Sequence, residues 1–224
     1  GLKAMKKLKL TVLACAATLL GGCASLQDAS TSLSCMLSRV TNSADPSCGP
    51  GGGAPATAVS GGQNERFARL QAALDQETQH AQSMQAQAVQ AMQKLPAKQR
   101  AVAGPLQTRT VSIADGQSGQ THQMRSFSAL TVEMPLAAKG RKEYTQAMNV
   151  LKELANELAD NRGSSSIVVD QSDEDVRAGR VNTATGTTQS KGGKPVTVIK
   201  KIDTGLPAGV ERYTIEAGEI RGKL

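Results

Sequence analysis

Tryptophan is absent from this chain of 224 residues, and Phe67, Phe127, Tyr144 and Tyr213 are its only aromatic side chains. Platforms that bind single-stranded nucleic acid need several aromatic faces close together, so that class is disfavoured. Sugar sites built on aromatic faces are disfavoured for the same reason. Histidine is limited to His80 and His122. His80 lies between Gln79 and Ala81 and is expected to face solvent, and His122 has no cysteine or G-x-S-x-G nucleophile motif near it. "TGTTQSKGGK" lacks the Gly-Lys-Ser/Thr ending that makes a phosphate loop. "DQSDEDV", residues 170–176, lacks the sixth-position glycine and twelfth-position glutamate of a calcium loop and reads as a solvated loop. The chain is therefore expected to be no enzyme and to use no metal, cofactor or small-molecule substrate.

Acidic residues are also missing from the first 27 positions. From Met5 the chain runs through Lys6, Lys7 and Lys9 into an apolar and small-residue stretch, Leu10 to Leu20. A basic start followed by a short apolar core is the layout of an export signal. The stretch is far shorter than the roughly 20 apolar residues a membrane-spanning helix needs. Gly1 to Ala4 precede Met5 and are read as lying ahead of the native start.

The apolar stretch ends in Leu20, Gly21, Gly22 and Cys23. This composite resembles the lipobox of bacterial lipoproteins. The resemblance covers residues 5–24 and implies that residues 1–22 are removed and that Cys23 carries a diacylglyceryl group and an N-acyl chain. Lipid contributes about 0.8 kcal/mol per buried methylene, so two or three chains anchor a protein almost permanently. Ala24 and Ser25 follow the cysteine where an Asp would favour inner-membrane retention. The resemblance thus implies an anchor in the outer membrane, with the polypeptide facing the periplasm.

Removing the leader also changes the charge. The formal net charge of +7 includes Lys3, Lys6, Lys7 and Lys9, and without them the basic surplus falls to three. That is no nucleic-acid footprint. Of four cysteines, Cys15 leaves with the leader and Cys23 is the lipid site, so Cys35 and Cys48 remain. In an oxidising compartment such a pair favours a disulfide, with free or intermolecular thiols as the alternative. Closing that loop would stabilise by about 3 kcal/mol in the chain-entropy model.

Residues 23–62 are rich in Ser, Ala, Gly and Pro and end in "GPGGGAPATAVSGG", the composition of a flexible linker. Residues 63–96 read as a long amphipathic helix rich in Gln and Ala, closed by Pro96. Its larger apolar groups, Phe67, Leu70, Leu74 and Met84, recur at heptad spacing and make an interaction stripe. The stripe fits a helix lying on its own domain or a coiled coil with another copy or a partner. Alanines and Glu77 within it make for a weak autonomous dimer.

Residues 108–224 read as an α+β domain. Two strands flank a turn at Asp115 and Gly116, with Val111 and Ile113 on one face of the first and Leu130, Val132 and Met134 alternating in the second. A helix from about Arg141 to Asn161 presents Tyr144, Met148, Leu151, Ala155 and Leu158 on one face and stops at Gly163. "SSSIVVDQ" is a buried strand, residues 172–194 a polar loop, and "VTVIKKID" with "VERYTIEAG" a hairpin about "TGLPAG". The order β-β-α-β-β-β predicts a two-layer sandwich, a mostly antiparallel sheet packed by one helix and preceded by the long N-terminal helix.

Strand, helix, strand and hairpin look similar in topology to peptidoglycan-binding domains of the OmpA type. Residues 170–194 lack that family's N-x-x-L-S-x-x-R-A helix and T-D-x-x-G turn, so the likeness is one of layout. The layout is also similar to conjugative lipoproteins of type IV secretion systems, whose spacing and flanking residues differ. The expectation is an outer-membrane lipoprotein serving as a structural or assembly component of a secretion, conjugation or pilus complex, in contact with envelope proteins or further copies. A peptidoglycan-binding lipoprotein is the alternative.

Overall fold

The computed structural model describes residues 63–116 and 118–220. The expected leader, the linker, Cys23, Cys35 and Cys48 lie outside the described residues. The first element, α1 (Gln63–Ala91), is a helix of 29 residues. Gln, Ala, Met and Leu are good helix formers, and Glu65 in its first turn complements the helix dipole. Beyond Ala91 the chain tightens into bonds of three-residue spacing, from Met92 to Val89 and from Leu95 to Met92. Pro96 disfavours a helical Leu95, so the α-helix stops short of the expected end.

Strands β1 (Val102–Ala114) and β2 (Thr121–Pro135) follow as a long antiparallel hairpin. Its turn is closed by Asp115 N–H donating to Gln120 O, and Gly119 occupies a positive φ of 70°. Helix α2 (Lys142–Arg162) ends at Gly163 with φ 83°, a left-handed stop that favours glycine. The remainder is β3 (Ser165–Ser172), the short α3 (Asp173–Arg177), β4 (Gly186–Gln189), β5 (Pro195–Asp203) and β6 (Val210–Ala217).

The six strands form one sheet in the order β1-β2-β6-β3-β5-β4. All pairings are antiparallel except β3 with β5. Both long helices lie on one face of it, so the fold is the expected α+β sandwich with two helices in its second layer. The core joins Ala81, Met84 and Ala88 of α1, and Met92 just beyond it, to Ala147, Leu151, Leu154 and Leu158 of α2. These meet Leu130, Val132, Met134, Ile167, Val169 and Ile215 from the strands. Leu130, Val132 and Met134 are wholly buried, and their alternation is the period-2 pattern of a strand with one covered face.

Four expectations are corrected. β5 and β6 are not a hairpin, because β3 lies between them and pairs with both. Ile167, Val168 and Val169 form a run buried on both faces, which suits a central strand. The intervening 204–209 needs to cross only one strand, a gap of about 10 Å. "DQSDEDV" is not a solvated loop, since it ends β3 and opens α3 with Asp175 fully buried. Residues 172–194 carry α3 and β4, and the sheet begins at Val102 rather than near 108.

Candidate functional site

The stripe of α1 is spent within the chain. Phe67, Leu70, Leu74 and Met84 retain 7%, 1%, 0% and 6% of their exposure. Phe67, Leu70 and Leu74 pack with Ile113 and Met124 in a small apolar cluster, while Met84 belongs to the main core. Between the two clusters stands Glu77, whose carboxylate takes both Nε (3.1 Å) and Nη2 of Arg162 from the end of α2. The same Nη2 donates to Ser126 Oγ of β2 at 2.8 Å. A heptad position filled by glutamate is thus a buried ion pair binding α1, α2 and β2.

A second polar group lies where α2 begins. Glu211 of β6, 1% exposed, accepts from Gln171 Nε2 (2.7 Å) and Tyr213 Oη (2.7 Å) and pairs with Lys139 Nζ at 2.8 Å. Tyr213 shares a further bond of 2.8 Å with Tyr144 Oη of α2. Burial pushes the Glu211 carboxyl up, but the bonds from Lys139, Tyr213 and Gln171 outweigh it and hold the group below the usual glutamate range. Burial pushes the Tyr144 phenol up to about 12, against the lowering effect of its bond to Tyr213. Burial also raises Tyr213, with the neighbouring Tyr144 and Glu211 adding to the shift. Lys200 on β5 is lowered by burial, partly offset by Glu211 and reinforced by Lys139. Gln171, Tyr213, Tyr144 and Lys139 all converge on Glu211 directly or through Tyr213, so what the cluster does is lock the β6 end to β3 and α2.

Asp175 performs the same task for the loops. Its carboxylate accepts from Ser172 Oγ (2.6 Å), Arg180 Nε (2.6 Å) and the backbone N–H of Gly209 (2.7 Å). Burial acts to raise this carboxyl, and those three donors hold it low. The 3₁₀ turn Leu136–Ala138 is pinned through Leu136 N–H to Gly209 O.

On the face away from the helices, Arg212 donates to Glu133 (3.0 Å) and Asp203 (3.0 Å). Cross-strand register continues the alternation of sign from Glu133 through Arg212 and Asp170 to Lys201. The two outer strands differ in length. β4 has four residues, all exposed, whereas β1 has 13 and pairs only with β2 among the described strands.

His80 is not simply solvated, because its Nε2 lies 2.9 Å from Glu157 Oε2 of α2. His122 stacks on Phe67 with ring centroids 3.6 Å apart. The Glu211 cluster was not anticipated from the sequence, although Glu211 and Tyr213 two residues apart in a strand share a face. Among the described residues no group of three or more His, Cys, Asp or Glu could hold a metal ion, and no helix is long and apolar enough to cross a membrane. Comparison with protein-family models, curated proteins and solved structures gives no match to this chain.

Proposed function

We propose that this chain is an outer-membrane-anchored periplasmic lipoprotein that acts as a structural or assembly component of an envelope complex. The single observation that carries this reading is the long outer strand β1, 13 residues with one side of its backbone unmatched by any described strand. An open strand edge is a template for adding a strand from another protein, with main-chain bonds supplying affinity. The LGGC motif at Cys23 supplies the anchor in this reading, and residues 23–62 the tether. Further support comes from the buried carboxylates of Glu77, Glu211 and Asp175, each held by donors from other elements of the fold, which stiffens a platform.

The test has two parts. Bacteria making the full chain are fed radiolabelled palmitate, and label on the wild type but not on a Cys23→Ser variant is expected. Envelopes are then crosslinked, and recovery of the chain with envelope proteins, reduced when Thr110 is changed to Pro, supports docking through β1. Label that fails to enter removes the anchor. Co-sedimentation of the purified chain with cell-wall sacculi, without protein crosslinks, replaces the scaffold by the peptidoglycan-binding alternative.

A further inference from the structure

Four boundaries coincide at one level of the molecule. β2 pairs with β6 only from Ala129 to Pro135, so Thr121 to Ser128 extends past the body of the sheet beside β1 alone. The β1–β2 register shifts between Gln107 and Thr108, opposite Ala129 and Phe127, which leaves Ser128 as an extra residue where the projecting arm begins. α2 ends at the same level, because its last residue, Arg162, reaches Ser126. The apolar packing divides there too, with Phe67, Leu70, Leu74, Ile113 and Met124 on one side and the main core on the other.

What separates the two clusters is the polar layer of Glu77, Arg162 and Ser126. Apolar packing is therefore discontinuous along α1, and cooperativity between two cores weakens where no apolar contact joins them. Only the first half of α1 covers the arm. Within that half the Gln71 side chain replaces a strand, accepting from Arg125 N–H (3.1 Å) and donating to Arg125 O (3.0 Å). Ties of the arm to the body among the described residues include Arg109 Nη2 to Gly218 O at 3.0 Å, Arg162 Nη2 to Ser126 Oγ at 2.8 Å at its base, and Ile220 against the small cluster.

We propose that the hairpin arm, Thr110 to Arg125, and the α1 segment from Glu65 to Leu74 form one separately opening unit, a strap that releases while the six-stranded body, with Phe127 in its core, stays folded. Opening withdraws Gln71 from Arg125 and exposes the β2 backbone from Thr121 to Arg125 to solvent. The Glu77–Arg162 pair marks where release stops, since the rest of α1 is held by the main core. Residues 1–62 join the described part at Gln63, so a pull on that segment meets the strap first. The proposal stands on the described residues and needs no lipid on the chain.

The test is hydrogen exchange followed by mass spectrometry on the full chain, in a series of low denaturant concentrations. Peptides covering 66–76 and 109–126 are expected to exchange together, at least about tenfold faster than those covering 129–135 and 211–217. A Leu70→Ala variant, which removes a side chain buried in the small cluster, should speed the strap peptides by about thirtyfold or more and leave 211–217 within about twofold of the wild type. Exchange of all four peptides at one rate, or an equal acceleration of all four in Leu70→Ala, overturns the proposal.

Discussion

Arg162 in the last turn of α2 grips Glu77 in the middle of α1, and the two side chains keep only 1% and 4% of their exposure. Burying both ions costs several kcal/mol each in desolvation; the mutual attraction and the bond to Ser126 offset part of it, while Arg162 Nη1 has no partner among the described residues. The pair joins the middle of α1 to the end of α2 and, through Ser126, to β2.

Removing one member leaves the other charged and buried. Glu77→Ala and Arg162→Ala are each expected to destabilise by about 3–5 kcal/mol, whereas the double change Glu77→Leu with Arg162→Met should fall near the wild type or above it. Urea unfolding followed by far-ultraviolet circular dichroism measures all three. A double variant as unstable as the singles would mean that the pair provides more than mutual neutralisation.

Glu211 gives the fold an acid limit. Its carboxyl is held below the ordinary glutamate value of 4.5, so its ionised form is favoured by folding. That contribution is present above about pH 4.5 and disappears as pH falls through the lower folded value. Glu211→Gln should flatten the stability profile in that range and cost about 1–3 kcal/mol at neutral pH, because Lys139 then loses an ionic partner. Unfolding free energies from pH 3 to 7 for both proteins test this.

The two tyrosines report the alkaline limit with little interference, since the chain has no tryptophan. Burial raises both, Tyr144 to about 12 and Tyr213 further, so each favours its neutral form in the folded state. Their stabilising contribution is complete below the unfolded value of 10.0 and is lost as pH rises towards the folded values. Absorbance at 295 nm should show little ionisation near pH 11 in the folded protein and full ionisation when urea is added.

Gly163 tests the helix stop. At φ 83° an alanine meets no neighbouring atom within 4 Å, so the cost of Gly163→Ala is backbone strain alone, about 1–2 kcal/mol. Thermal melting gives the value. A neutral result would mean that the chain leaves α2 by another route.

Ser172 caps α3 and also holds Asp175, accepting from the Asp175 N–H at 3.1 Å and donating to its carboxylate at 2.6 Å. Ser172→Ala is expected to cost about 1–2 kcal/mol, the usual loss of an N-cap. It should also raise the Asp175 carboxyl towards its ordinary value of 3.8, since one of the bonds holding it low is gone. Carbon-detected nuclear magnetic resonance titration of Asp175 distinguishes this from a simple loss of stability.

Much of the architecture is legible in local pattern. Leu130, Val132 and Met134 alternate because one face of β2 is covered, and Leu151, Ala155 and Leu158 recur because one face of α2 is covered. Gly163 marks a stop that most other residues resist. Phe67, Leu70, Leu74 and Met84 are identifiable as a stripe from spacing alone, but spacing does not say what lies against it. The structure lays that stripe on the protein's own strands and on α2. Cys23 alone carries the reading of place, and it lies, with Cys35 and Cys48, outside the described residues.

The local sequence of this protein determined its elements, because side-chain period, helix stops and turn residues act over a few neighbouring positions. Strand order was decided only in three dimensions, where the doubly buried Ile167–Val169 run draws β3 between β5 and β6. The same holds for the partners of Glu77, Glu211 and Asp175, which lie 85 residues away at Arg162, 40 at Gln171 and 34 at Gly209. Charge and hydrogen-bond complementarity between distant residues leaves no periodic trace in a chain. It exists only once packing has brought the groups together and excluded the water that would otherwise satisfy them.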